Sequence, residues 1–184
     1  MSHALIDVLL DRHKDALGRD FAAYGNHVHR VFDGTLLHQR HLAPGYTPSD
    51  DEMAALAIAA VYHDAAIWLD GTFDYLDPSN AHAQAELKTR GLERWSDAVF
   101  DMVMGHHKLT SVPPRGDDPN WGEWFRRADY SDVSWGLVRF GVPAADLKAV
   151  RSAYPNLGFH KALVRIAGGW FPKHPFNPMP MMRW

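Results

Sequence analysis

Cysteine is absent from the 184 residues of this chain. Disulfides, thiolate nucleophiles and thiolate-ligated metal sites are excluded together, so any bound metal must sit on nitrogen and oxygen. An excess of one charge sign is also lacking. Nineteen Lys and Arg against 22 Asp and Glu leave a net charge of -3, without the basic face that a nucleic-acid polymer or an anionic membrane would need. No apolar run approaches the roughly 20 residues that cross a bilayer. The apolar run at 5–10 is short and broken by Asp7, unlike a secretory leader. A cytoplasmic protein that engages no membrane is the expectation. No stretch alternates apolar and polar residues convincingly, and no repeat of fixed period is visible. The reading is all-α: a single-domain multi-helix bundle over residues 1–184, long enough to bury a core without staples.

What the chain has in quantity is histidine, twelve in all. The stretch everything else serves is 53–68, MAALAIAAVYHDAAIW. Ser49 and Glu52, three apart, have the spacing of a capping box, which predicts a helix opening at Ser49. Its interior is apolar all round, so it should run through a core. His63 and Asp64 close that run. Burying them costs several kcal/mol unless the charge is paired or bound to a cation.

Around it, apolar spacing predicts a packing helix over 2–16 with Ser2 as N-cap, and a second helix opened by Asp20. In the second, His27 and Arg30 lie three apart and share a face. Residues 42–49 and 69–80 read as loops rich in Pro, Gly and Asp, and 80–92 as a polar outer helix. Ser96 is expected to cap the next helix, which carries His106 and His107, and a loop follows over 109–120. A helix with Trp121, Phe125, Ala128 and Asp129 on one stripe comes next, then helices over 143–154 and 157–166. The segment 168–184, with four prolines and several large apolar groups, is expected to lie extended over the body or against a partner.

Four side chains at the ends or inner faces of buried helices are placed to meet: His27, His63, Asp64 and Asp129. On NHVHR (26–30), AAVYHDAA (59–66), GHHK (105–108) and RRADYSDVSWG (126–136), residues 21–136 resemble the HD-domain superfamily of metal-dependent phosphohydrolases. The resemblance implies a helical bundle in which these four side chains hold one divalent transition metal. Two imidazoles and two carboxylates accept Fe, Mn, Co, Ni or Zn. Such an ion acidifies water from a pKa of 15.7 towards roughly 7 and polarises a phosphoryl oxygen. His27 is preferred to His29 because the family's histidine precedes its arginine by three, and Asp132 is the fallback for Asp129. Some members bind two ions through extra histidines. Here His106, His107 and His82 are the candidates, with His82 read as a surface residue and His106 or His107 as a hydrogen-bonding partner of substrate or water. Arg30 and Lys108 are the expected phosphate partners. Several members carry an acidic residue three or four positions after the pair, where this chain has Ile67 and Trp68. Asp70, ahead of Asp74, is therefore the expected general acid or base, and Trp68, Phe73 and Tyr75 the expected lining of a substrate pocket.

The leading expectation is hydrolysis of a small phosphate ester or nucleotide. One alternative is a di-iron oxygenase or a hydratase on a small organic substrate, both of which the superfamily contains. The other is a non-catalytic, metal-stabilised interaction module, self-associating through the tail at 170–184.

Overall fold

The computed structural model describes residues 2–115 and 119–182. The expected tail residues Arg183 and Trp184, and positions 116–118 of the loop at 109–120, lie outside the described residues. Among the described residues there is helix and no strand, and the helices share one hydrophobic core. No helix is long and apolar enough to cross a membrane.

The chain opens with α1 (Ser2–Arg12), which stops short of the expected Ala16. A four-residue helix, α2 (Lys14–Leu17), follows a break at His13, and Gly18 closes it with φ of 52°. The His13 ring leaves the helical line to reach the Tyr62 hydroxyl at 3.0 Å. Ser2 lies inside α1 rather than capping it. The long α3 (Phe21–Leu42) starts where Asp20 was expected, but the Asp20 side chain makes no cap. It accepts instead from Trp68 Nε1 and from Arg165.

The capping box forms at the head of α4 (Asp50–Tyr62): Glu52 N–H donates to Ser49 Oγ, and Ser49 N–H to Glu52 Oε2. Residues Leu56 to Ala60 of this helix have no exposed surface, as its all-apolar circumference requires. His63 and Asp64 sit just past its end, before the short α5 (Ala66–Leu69).

The next helix begins earlier than the Asp-Pro dipeptide suggests. α6 (Leu76–Thr89) takes Asp77 and Pro78 into its first turn, where a missing N–H costs nothing because that donor is unpaired anyway. It is also less external than its composition implies, since Ala83 and Leu87 are fully buried. α7 (Ser96–Gly105) ends immediately before His106, and Ser96 is its first residue rather than its cap. α8 (Trp121–Val133) is capped by Asn120, whose side chain accepts from Glu123 N–H. α9 (Ala144–Ala153) falls close to expectation, whereas α10 (Phe159–Trp170) runs four residues past the expected Ile166 and takes Gly168, Gly169 and Trp170 of the expected extended tail into the helix. The tail packs on its own body in part. Met181 is buried with Phe73, Tyr75 and Ile67, while Phe176 stands fully exposed.

The site is positioned by α3 lying along α8, the most extensive helix contact, and by α7 against α8. Close approach of α3 and α8 depends on Gly34, where an added Cβ would stand 3.1 Å from Ala128 Cβ. Gly34→Leu is expected to wedge the two helices apart, costing about 1–3 kcal/mol and roughly 5 °C of Tm. A thermal melt checks it; an unchanged Tm would mean the contact is not close-packed.

Candidate metal centre

Four helices deliver six side chains to one region. His27 comes from the middle of α3 and Asp129 from α8, while His63, Asp64, His106 and His107 follow the C-terminal ends of α4 and α7. Helix C-termini carry partial negative charge and favour a cation. Three groups of ligating atoms form there: His27, His63 and Asp129; His63, Asp64 and His106; His106, His107 and Asp129. All are buried except His107, which keeps some exposure.

The orientation of each ring follows from its far nitrogen. His63 Nδ1 faces the Ala60 carbonyl at 2.8 Å, and His106 Nδ1 faces the Val103 carbonyl at 2.6 Å. A carbonyl only accepts, so both rings carry their proton on Nδ1. His27 Nδ1 faces Asp132 Oδ2 at 2.7 Å. In the neutral state each Nε2 is then a lone pair. These lone pairs face one another and carboxylates: His27 to His63 at 3.1 Å, His27 to Asp129 Oδ1 at 3.6 Å, His63 to Asp64 Oδ2 at 3.4 Å, and His106 to Asp64 Oδ1 at 3.3 Å. Ligand atoms about 2.1 Å from a common ion lie about 3.0–3.4 Å apart in octahedral or tetrahedral geometry. Asp64 Oδ1 and His106 Nε2 are buried without a hydrogen-bond partner, which is costly unless something else satisfies them.

Charge gives the same answer. Asp64, Asp129 and Asp132 are buried beside one guanidinium, Arg30, leaving two negative charges when all three carboxyls are ionised. These clusters can hold a metal ion, and a divalent cation balances them.

The protonation equilibria fit neutral His63 and His107 rings beside shared carboxylates, with His106 the exception. Burial pushes the His63 ring down to about 3 despite the attraction of Asp64, and burial beside His106 holds His107 well below the ordinary histidine range. Burial would raise the Asp64 carboxyl, yet His63 and His106 pull it below the usual carboxylate range. Burial opposes protonation of His106 too, but Asp64 outweighs it and raises the ring. Asp129 is pushed up to about 6, by burial first and by Asp64 and Asp132 against the pull of His106 and His27. An ion must displace the protons that Asp129 and His106 hold. Metal affinity is therefore expected to rise with pH through about 6, falling tenfold or more per unit below it. Competition with a chromogenic chelator between about pH 5 and 7 measures this; a flat affinity would contradict it.

Of the residues expected to form the site, His27, His63, Asp64 and Asp129 converge, and His106 and His107 join them as potential ligands. His29 points elsewhere, to Asp7 and His3. Three expectations are corrected. Asp70 is exposed and pairs with His82 at 2.8 Å rather than with the cluster, and both stand outside the ligating groups. Arg30 is no free phosphate partner. Its Nε and Nη2 bind both Asp132 oxygens, at 2.6 and 2.9 Å, and its Nη1 donates to the Tyr154 carbonyl. The Trp68 indole is committed within the fold, donating to Asp20 and packing on Tyr24. The Lys108 side chain has no ion-pair partner among the described residues and lies half-buried next to His107.

Sequence reasoning missed three supports. Asp132, ranked as a spare ligand, instead holds His27 from behind and is held by Arg30, an arrangement that fixes ring orientation and raises ligand basicity. The Tyr75 hydroxyl hydrogen-bonds His107 Nε2. The Phe159 ring, from α10, stacks on His27 at 3.9 Å between centroids. Only the Asp129–Asp132 spacing, one helical turn, carried a signal for any of these. Compared with protein-family models, curated proteins and solved structures, the chain matches none.

Proposed function

We propose that the chain is a metal-dependent hydrolase of the HD-domain type that cleaves a small phosphate ester or nucleotide. One observation carries the reading: overlapping buried groups of imidazoles and carboxylates bring together His27, His63, Asp64 and Asp129, in the chain order that resembles that superfamily. When bound, a divalent ion, one of Fe, Mn, Co, Ni or Zn, would supply acidified water and polarise the phosphoryl oxygen. His27, His63, Asp64 and Asp129 would hold it, and Asp132 would keep His27 in the ligating tautomer.

Substrate would approach along the edge at His107, since His107 is the one member of the cluster with exposure. Lys108, half-buried beside it, would supply a cation to a phosphate oxygen. His107 is neutral at physiological pH and the Tyr75 hydroxyl hydrogen-bonds its Nε2, so the pair would pass a proton on rather than hold it. With Asp70 tied to His82, this pair takes over the acid-base role that the sequence assigned to a carboxylate.

Release of phosphate by metal-replete protein from a panel of nucleotides and phosphomonoesters tests the reading, with Lys108→Ala expected to raise KM more than it lowers kcat. No release from any member would contradict it. A second reading has its own support. The group of His106, His107 and Asp129 offers donors for a further ion, which would suit di-iron oxygen chemistry. Two irons per chain with oxygen uptake would favour it over hydrolysis.

A further inference from the structure

Behind His27, on the Nδ1 side of the ring, lies a cavity of about 100 Å³ bordered by Arg30, Asp132, Arg151, Trp135, Tyr154 and His160. It is separate from the metal cluster, which occupies the Nε2 side. We propose that this cavity is a binding site for a small oxyanion, a phosphate or a carboxylate, with Arg151 as its principal ligand.

The charge balance selects an anion. Asp132 is neutralised where it stands, since Arg30 grips both of its oxygens and His27 Nδ1 contacts one of them. Arg151 is left over, with no ion-pair or hydrogen-bond partner among the described residues. Its guanidinium has been given a place: it lies against Gly136, where a Cβ would stand 2.1 Å from Nη1. Gly136 has φ of 75°, so both its conformation and its missing side chain leave the room that Arg151 takes. A planar fork of N–H donors without a carboxylate is matched to an oxyanion's paired oxygens.

The walls are fixed as well. Trp135 is a non-glycine residue held at φ of 58°, a conformation that persists only where its surroundings enforce it. Its ring stacks on His160 at 4.6 Å. His160 is clamped in turn, by Asn156 at 2.7 Å and by the Val133 carbonyl at 3.0 Å. Tyr154 closes the side where its carbonyl accepts from Arg30. The space is smaller than an engineered 150 Å³ cavity that admits benzene. It suits a phosphate group or a short carboxylate, with any attached aromatic group outside against the exposed face of Trp135.

Calorimetric titration of the full chain with inorganic phosphate, acetate and phenyl phosphate, each with and without chelator, tests the proposal. Binding of at least one is expected in about the millimolar range, unaltered by chelator while circular dichroism shows helicity retained. Arg151→Gln is expected to weaken it tenfold or more, and Arg151→Ala, the second variant, as much; Arg139→Gln should leave it unchanged. Tighter binding of phenyl phosphate than phosphate would identify a phosphomonoester, and a preference for acetate a carboxylate. Native affinity in both Arg151 variants would overturn the proposal. So would binding that disappears with chelator from folded protein, which places the anion on the metal, or no binding of all three probes. The outcome is independent of whether the chain hydrolyses phosphate esters.

Discussion

Asp64→Ala is expected to empty the metal centre, lowering metal content from about one ion per chain to under about a tenth, with affinity down more than about 100-fold. Asp64 stands within 4 Å of three imidazoles: Oδ2 lies 3.4 Å from His63 Nε2 and 3.8 Å from that of His27, and Oδ1 3.3 Å from His106. Its removal takes away a ligand and half of the excess negative charge together. The size of the stability change should depend on metal. A ligand present at about a thousand times its Kd stabilises the native chain by about 4 kcal/mol, and the variant should forgo that. With chelator present the gap should narrow to what the loss of the pairing of Asp64 with His63 and His106 costs on its own. Elemental analysis and melting curves with and without chelator give both readouts. Native metal content in the variant would contradict the assignment.

Asp132→Ala should be costly for a different reason. It leaves the Arg30 guanidinium buried with no counter-charge, a kind of loss that costs about 3–5 kcal/mol, or roughly 10 °C of Tm in a chain of this size. It also removes the carboxylate behind His27, and losing such a support weakens metal binding by about 10–100-fold. The two effects separate in the double variant with Arg30→Met, which should recover much of the stability and little of the metal affinity. Recovery of both would mean that Asp132 acts only as the partner of Arg30. Denaturant unfolding and chelator competition on the single and double variants decide between these outcomes.

The His63-Asp64 pair was legible because it interrupts a helix otherwise apolar on every side, and such an interruption needs a reason. Asp129 was legible through its place on a buried stripe with Trp121 and Phe125. The all-helical fold followed from period alone. What was not legible depends on partners distant in sequence. Whether Arg30 faces a substrate or Asp132 is settled by the packing of α3 on α8, 102 residues apart. Asp70 looked available because nothing local occupies it, but α6 begins four residues earlier than its composition suggested and brings His82 to it. Trp68 likewise finds Asp20, 48 residues away. The histidine doublet was recognised without its direction. Only the end of α7 shows that His106 turns its Nδ1 back to the Val103 carbonyl and leaves Nε2 inward.

On the proposed reading, a divalent ion is what makes this buried cluster of imidazoles and carboxylates tolerable. Anomalous diffraction from crystals of metal-replete protein, collected at the absorption edge of the bound element, tests it most directly. The expected result is a peak about 2.0–2.3 Å from Nε2 of His27 and of His63 and from carboxylate oxygens of Asp64 and Asp129. Metal-replete crystals with no peak among these side chains, or with the metal only on surface histidines such as His82, would contradict it.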